Sequence, residues 1–193
     1  MSIDKSYTWM MASNALIDGI GFVGNERNRI AISLLHLSND HQKGIHLLID
    51  NELASSAFAL LRPQFEALVR GLWFHRCATE KEIEKFLKKK EPPRINDMIQ
   101  AIEETHAYSH GSLSALKSKI WKLLNDFTHG GLAQVLARNT DEQIISNYSL
   151  EQMNALLDKS VDISLVASIE TALIAENSEL SIALKELHVR VGQ

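Results

Sequence analysis

The sequence is poor in cysteine and proline, and each shortage narrows the classes of protein to consider. Cys77 is the only cysteine among 193 residues, which excludes an internal disulfide and a zinc site built from several cysteines. One cysteine fits a reducing compartment, and its apolar neighbours favour a buried, unreactive thiol. Only three prolines interrupt the chain, and no run of alternating β-branched residues is bounded by turn residues. The sequence therefore predicts an all-α protein.

Long apolar runs and an excess of positive charge are also missing. No apolar stretch reaches the roughly 18 residues that a membrane-spanning helix needs, and the N-terminus lacks the basic and apolar segments of a signal peptide. We therefore expect a cytoplasmic protein that does not associate with membranes. The formal net charge of −4 disfavours general attraction to nucleic acid, but it leaves room for a local basic groove.

Hydrophobic spacing and capping residues outline the helices. The predicted helical stretches are about residues 7–18, 25–50, 51–78 with a charged extension at 80–90, 93–105, 112–129, 149–176 and 180–191. Ser149 and Gln152 are typical of a capping box, and Gly130 suits the left-handed conformation after a helix end. Residues 161–175 are apolar on nearly every face, which predicts a central helix.

These stretches predict an up-and-down helical bundle of about five to seven helices that forms a single domain over residues 1–193. The last helix carries an apolar stripe at Leu180, Leu184, Leu187 and Val191. That stripe would either close the bundle or form the seam of a homodimer. We expect a homodimer.

A charged stripe lies on the otherwise apolar third helix, in the stretch "RPQFEALVRGLWFHRC". Arg62, Glu66 and Arg70 follow one another at four-residue spacing and, at about 100° per residue, share one sector of the helix with Trp73. The stripe should be partly enclosed, and an enclosed guanidinium needs a partner. Glu66 can pair with one arginine, which leaves one positive charge for another group. The stripe is therefore a structural ion network, an anion-binding pocket or an exposed surface.

Histidines supply further candidates. His129 ends a helix in "NDFTHGG", and Asn125 lies one turn earlier on nearly the same face, so both side chains could face a cleft. The alternative is that His129 only places positive charge at a helix C-terminus. His106 and His110 have the spacing of a shared metal site, but no acidic motif lies between them. We expect no metal and no cofactor.

These segments resemble a group of uncharacterised bacterial all-helical proteins. That group shares an R-P-x-F-E…R-G-x-W-x-x-x-C helix and a later T-H-x-G turn, and the matching positions here are Arg62, Pro63, Phe65, Glu66, Arg70, Gly71, Trp73, Cys77, Thr128, His129 and Gly131. More distantly, the layout looks like the HEPN superfamily of helical bundles, which includes dimeric, metal-independent ribonucleases of toxin–antitoxin and phage-defence systems. Those nucleases carry an arginine, a polar residue and then a histidine four to six residues after the arginine. Arg70 and His75 have this separation, with Gly71 at the polar position.

We expect a non-enzymatic ligand-sensing or protein-interaction module of bacterial regulation or defence, although an enzyme remains an alternative. The expected ligand-binding site comprises Arg62, Glu66, Arg70, Trp73 and His129. Its two arginines would bind a small anionic group or a protein partner, and its glutamate would orient one of them. The alternative is a HEPN-like endoribonuclease in which His75 or His129 acts as general acid or base and an arginine stabilises the transition state. Nucleic acid would be a partner only in that case.

Overall fold

The computed structural model describes residues 1–140 and 142–193, and every side chain in these ranges except those of residues 122–124. The helices are α1 (Ile3–Ile17), α2 (Glu26–Asp50), α3 (Ala54–Arg76), α4 (Glu80–Leu87), α5 (Ile95–Glu103), a 3₁₀ helix (His106–Tyr108), α6 (Ser112–His129), α7 (Leu132–Leu136), α8 (Leu150–Ile174) and α9 (Ser178–Gly192). No strand forms within these ranges. An isolated antiparallel bridge joins Asn139 and Ile144. The all-α prediction is confirmed.

The described chain contains ten helices, so the prediction of about five to seven is too low. Residues 80–90 do not extend α3, because Thr79 starts a new helix there. Its hydroxyl accepts a hydrogen bond from the Glu82 backbone N–H, and the Glu82 carboxylate accepts one from the Thr79 backbone N–H at 2.7 Å. This capping box separates α4 from α3. The 3₁₀ helix and α7 have three and five residues, too few for a hydrophobic period to show.

Two predicted helix ends are confirmed by their backbone geometry. Helix α6 begins at Ser112 and ends at His129, and Gly130 follows it in the left-handed region with φ of 68°. Helix α8 begins after Ser149, whose hydroxyl accepts from the Gln152 N–H at 3.1 Å while the Gln152 side chain accepts from the Ser149 N–H at 2.8 Å. Both ends depend on interactions within four residues of the chain, which is why the sequence predicts them.

The larger apolar core forms around α3, which packs against α2, α5, α6 and α8. Its fully buried side chains include Phe65, Leu68, Leu72 and Phe74. Gly71 lies where α3 meets α2, and a Cβ there would be 2.8 Å from Leu35 Cγ. The absence of a side chain at this position therefore sets how closely α2 and α3 approach.

A second apolar cluster joins α1, α8 and α9, and it includes Trp9 and Val161. The predicted stripe of the last helix is part of it, since Leu180, Leu184, Leu187 and Val191 are all buried. Helix α9 packs against α1 and α8, so this stripe closes the bundle. Among the helices that the structure describes, none combines the length and the apolar character needed to cross a bilayer.

A row of buried serines runs along α8, which packs against α1, α2, α3 and α9 as a central helix. The members of this serine row are Ser160, Ser164 and Ser168. Ser160 donates to the Gln64 side chain at 2.8 Å. Ser164 donates to the Asn39 side chain at 2.9 Å and accepts from the Trp9 indole N–H at 3.1 Å. Asn39 in turn donates to Ser168 at 3.3 Å. The row therefore ties α8 to α1, α2 and α3 through hydrogen bonds within the apolar core.

Candidate functional site

The Arg62 guanidinium lies where α3 and α6 cross, and several neighbours hold it. Its Nε donates to Glu66 Oε1 at 2.8 Å, and its Nη1 donates to Asn125 Oδ1 at 2.6 Å. The same Nη1 lies 2.9 Å from His129 Nε2, and the guanidinium carbon is 4.9 Å from the centre of the Trp121 ring. The side chains of Arg62 and Glu66 are 24% and 23% exposed. Arg62 is therefore fixed on its protein side and open to solvent on the other.

The contact with Arg62 defines the hydrogen-bonding role of one ring nitrogen of His129. A guanidinium is always protonated and offers no acceptor, so the Nε2 lone pair must accept the hydrogen bond. His129 is an exposed residue at the end of α6.

The turn after α6 fixes where His129 lies. The Gly131 N–H donates to the Asp126 carbonyl at 2.6 Å, and the Asp126 carboxylate accepts from the Ala133 N–H at 3.3 Å. A Cβ at Gly131 would lie 2.7 Å from Asp126 Cγ, so this turn requires a residue without a side chain there. The glycines of "THGG" therefore let the chain turn from α6 into α7 directly after His129.

Arg70 adds a second cation on the same side of α3. It is half-buried and makes no hydrogen bond or ion pair with any residue that the structure describes. Eight residues separate it from Arg62, which corresponds to about 12 Å along a helix axis. The Lys117 ammonium lies 4.3 Å from the centre of the Trp121 ring, which Arg62 also contacts. Arg62 and Lys117 therefore meet at the Trp121 ring, and Arg70 lies further along α3.

Two of the predicted site residues lie elsewhere. Trp73 is 4% exposed and packs edge-to-face against Phe74, with 5.0 Å between the ring centres, so it belongs to the core beneath the surface that carries Arg62. His75, near the end of α3, lies in a separate cluster, where its Nδ1 is 2.5 Å from Oε1 of Glu170 on α8. The structure therefore brings together Arg62, Glu66 and His129, and leaves Trp73 and His75 apart from them.

The cluster around Glu170 is an ion network that joins α3, α8 and the 3₁₀ helix. Arg76 donates to both carboxylate oxygens of Glu170 at 2.7 Å, and the Tyr108 hydroxyl is 3.5 Å away. Burial by itself raises the pKa of Glu170, which is 1% exposed, but the hydrogen bonds from His75 and Arg76 outweigh it and hold the pKa below its ordinary value. Burial, followed by the Glu170 charge, raises the pKa of Tyr108. The carboxylate is ionised and its hydrogen-bond partners are all within the protein, so this network has a structural role.

Several residues of these two clusters are not among the sequence predictions. Glu170 carries a signal, because it is the one acidic residue in the apolar run from 163 to 175, and a lone carboxylate on a buried helix needs a buried cation. Arg76 and Tyr108 carry no comparable signal. Lys117 and Trp121 carry none either, since their roles depend on how α6 crosses α3.

The remaining sequence candidates do not form a further site. Burial raises the pKa of the half-buried Cys77 thiol although the Arg76 charge opposes this effect, so the thiol is protonated and a poor nucleophile. Within residues 1–140 and 142–193, no group of three or more His, Cys, Asp or Glu side chains is placed to hold a metal ion.

Comparison with known proteins shows a family but no described relative. None of the curated proteins and none of the solved structures matches the chain. One family model, described as a family of unknown function (DUF6988), matches residues 35–192. The matched range covers most of the chain and includes Arg62, Arg70 and His129, while α1 and the start of α2 lie outside it. The chain therefore belongs to this family of unknown function, DUF6988, whose fold in this member is all-helical.

Proposed function

We propose that the protein is a non-enzymatic ligand-sensing or protein-interaction module that binds an anionic group beside Arg62 and Arg70. The observation that carries this proposal is the difference between the two guanidiniums. Arg62 is oriented by Glu66, Asn125 and His129, whereas Arg70 is half-buried and has no partner among the described residues. A fixed donor and an unpaired cation on the same side of α3 suit an anion, because Arg62 needs little ordering in the binding step.

The local charge supports the same proposal. On this side of α3, Arg62 and Arg70 accompany one carboxylate, Glu66, on a chain whose formal net charge is −4. The charged side chains on this side of α3 therefore have a positive sum, whereas the chain as a whole is negative. An arginine offers a planar pair of N–H groups to a carboxylate or phosphate, so both ligand types fit. A role in bacterial regulation or defence remains part of the proposal.

Replacement of Arg70 by alanine is expected to weaken the binding of inorganic pyrophosphate, our probe anion, by about tenfold or more. The variant removes one charge-assisted contact while leaving Arg62 and its partners in place. Isothermal titration calorimetry at low ionic strength measures the effect, since salt screens contacts between exposed charges.

Arg190→Ala is the matched control, because Arg190 is an exposed arginine on α9 and its loss changes the net charge equally. We expect this control to bind pyrophosphate as the wild type does. Unchanged affinity in Arg70→Ala would refute the proposed site, and equal losses in both variants would reduce the interaction to general charge attraction.

A second candidate function is metal-independent RNA cleavage of the HEPN-like type. The observation in its favour is the contact between Arg62 and His129, with 2.9 Å between Nη1 and Nε2. It supplies from two helices an arginine and a histidine that the sequence does not place near each other. The same contact occupies the Nε2 lone pair, which a general base would need, so the geometry supports binding better than catalysis.

Under this alternative, His129→Ala would abolish cleavage of RNA in the presence of EDTA. His75→Ala is the control, because His75 is held by Glu170 away from Arg62. Gel analysis of labelled RNA would separate the two functions. Cleavage by the wild type that His129→Ala removes and His75→Ala keeps would replace the binding module with a nuclease, whereas intact RNA in all samples would exclude the nuclease.

Exposed apolar side chains on α7, in the segment after it and at the start of α8 support the proposed homodimer or another protein partner. They are Leu132 (67% exposed), Val135 (50%), Leu136 (61%), Ile144 (83%) and Leu150 (70%). Apolar side chains that remain in contact with water mark a protein interaction surface when they form a contiguous patch.

A further inference from the structure

A cavity of about 520 Å³ lies between α3, α6, α7 and α8, and Arg62 does not line it. Its floor is apolar, with Phe58, Leu61, Phe127 and Leu156 each exposed by 8% or less. The rings of Phe58 and Phe127 stack, with 4.7 Å between their centres. Binding sites for small molecules commonly have volumes of roughly 300 to 1,000 Å³ and walls of this kind.

The rim of the cavity is polar and carries no unpaired charge among the described lining residues. Lys159 pairs with Asp162, with 3.1 Å between Nζ and Oδ2. The side-chain carbonyl oxygen of Gln152 accepts from the Ser149 N–H at 2.8 Å, which leaves the side-chain N–H groups of Gln152 available. The exposed Asn147 side chain makes no hydrogen bond with a residue that the structure describes. The rim therefore offers amide donors and no uncompensated cation.

We propose that this cavity binds a neutral, mainly apolar small molecule that carries a hydrogen-bond acceptor at one end. The apolar floor would take the hydrocarbon or aromatic part, because burial there removes it from water. The amides of Asn147 and Gln152 would donate to a carbonyl oxygen of the ligand. A charged head group would gain no unpaired counter-ion from the described lining residues, since Lys159 is already paired with Asp162. This site is separate from the proposed anion site in position and in chemistry.

The first test is a fluorescence titration of the full chain with N-phenyl-1-naphthylamine, a neutral apolar probe. We expect saturable binding with one probe per chain. Ala155→Phe should weaken it by about tenfold or more, because Ala155 lines the cavity from an exposed position on α8 and a phenyl ring would fill part of the space. Ala115→Phe, at an exposed position on α6 outside the described lining, should bind as the wild type does.

A second test uses only the wild-type protein and addresses the head group. Decanamide should displace the probe at a concentration about tenfold lower than decanoate does. Absence of saturable probe binding, or equal binding by Ala155→Phe and Ala115→Phe when both are folded by circular dichroism, would overturn the proposed cavity ligand. Displacement by decanoate as effective as that by decanamide would overturn its neutral head group. Neither result bears on pyrophosphate binding at Arg70.

Discussion

Replacement of Glu170 by alanine is expected to lower the free energy of unfolding by about 3 to 5 kcal/mol. The carboxylate is 1% exposed and accepts hydrogen bonds from both nitrogens of an Arg76 fork at 2.7 Å. Its removal would leave the Arg76 guanidinium half-buried without its acceptor, and His75 would lose its partner. Chemical denaturation followed by circular dichroism measures the change.

Glu186→Ala provides the control, since Glu186 is an exposed glutamate on α9. We expect this change to alter the free energy of unfolding by less than about 0.5 kcal/mol. If Glu170→Ala and Glu186→Ala had similar effects, the Glu170 network would not be the enclosed structure that its burial indicates.

The stabilisation that Glu170 contributes should depend on pH, and the sign of this dependence follows from the pKa of Glu170. Burial opposes ionisation of Glu170, but the hydrogen bonds from His75 and Arg76 outweigh burial and lower its pKa below the ordinary 4.5. The ionised carboxylate therefore contributes its full stabilisation above about pH 4.5, and that contribution is lost as the pH falls through the lowered value. The advantage of the wild type over Glu170→Gln should accordingly shrink on acidification below about pH 4.5.

Gly71→Val is expected to destabilise the protein by about 3 kcal/mol, because it inserts a side chain where α2 and α3 touch. A Cβ at this position would lie 2.8 Å from Leu35 Cγ and 3.2 Å from the Ala31 carbonyl oxygen, and both of those residues are fully buried. The branched methyl groups of valine have one strongly preferred rotamer in a helix and cannot turn away. The two helices would have to separate, and their core packing would loosen. Thermal and chemical unfolding both report the loss.

Gly44→Ala tests whether any added side chain between α2 and α3 has this effect. A Cβ at Gly44 would lie 3.1 Å from Leu60 Cδ1, the end of a half-buried side chain. We expect a change within about 1 kcal/mol, since alanine is favoured over glycine in a helix by roughly that amount. A loss as large as that of Gly71→Val would show that the helix pair tolerates no added volume, and a neutral Gly71→Val would show that α2 can shift.

The sequence predicts the fold well where the signals are local. The bounds of α6 and α8 depend on a hydrophobic period and on caps such as Ser149 and Gly130, which lie within a few residues of the helix end. Helix α4 is predicted as an extension of α3, because the charged residues at 80–90 continue a helical pattern. The capping box at Thr79 interrupts that pattern and starts a separate helix. Helix α7 is too short to show a period.

The candidate site is predictable only in part. The Arg62–Glu66 pair follows from four-residue spacing on one helix. The contacts of Arg62 with Asn125 and His129 join residues more than sixty positions apart, so they depend on the crossing of α3 and α6. Trp73 lies in the same helical sector as Arg62 but is buried. Different helices pack over different turns of α3, so residues of one sector differ in their exposure. The helical period does not indicate which neighbouring element packs over a given turn.

The serine row has a consequence for the uniqueness of the packing. Helix α8 is apolar on nearly all sides, so hydrophobic burial alone would accept several rotations of α8 about its own axis. A rotation by one residue, about 100°, would move the hydroxyls of Ser160, Ser164 and Ser168 away from Gln64 and Asn39 and leave buried polar groups unsatisfied. Each of these hydroxyl hydrogen bonds contributes modestly, but together they favour one rotation of α8 over apolar packings of similar energy. The rotation of α8 in turn determines where the helices that pack against it lie.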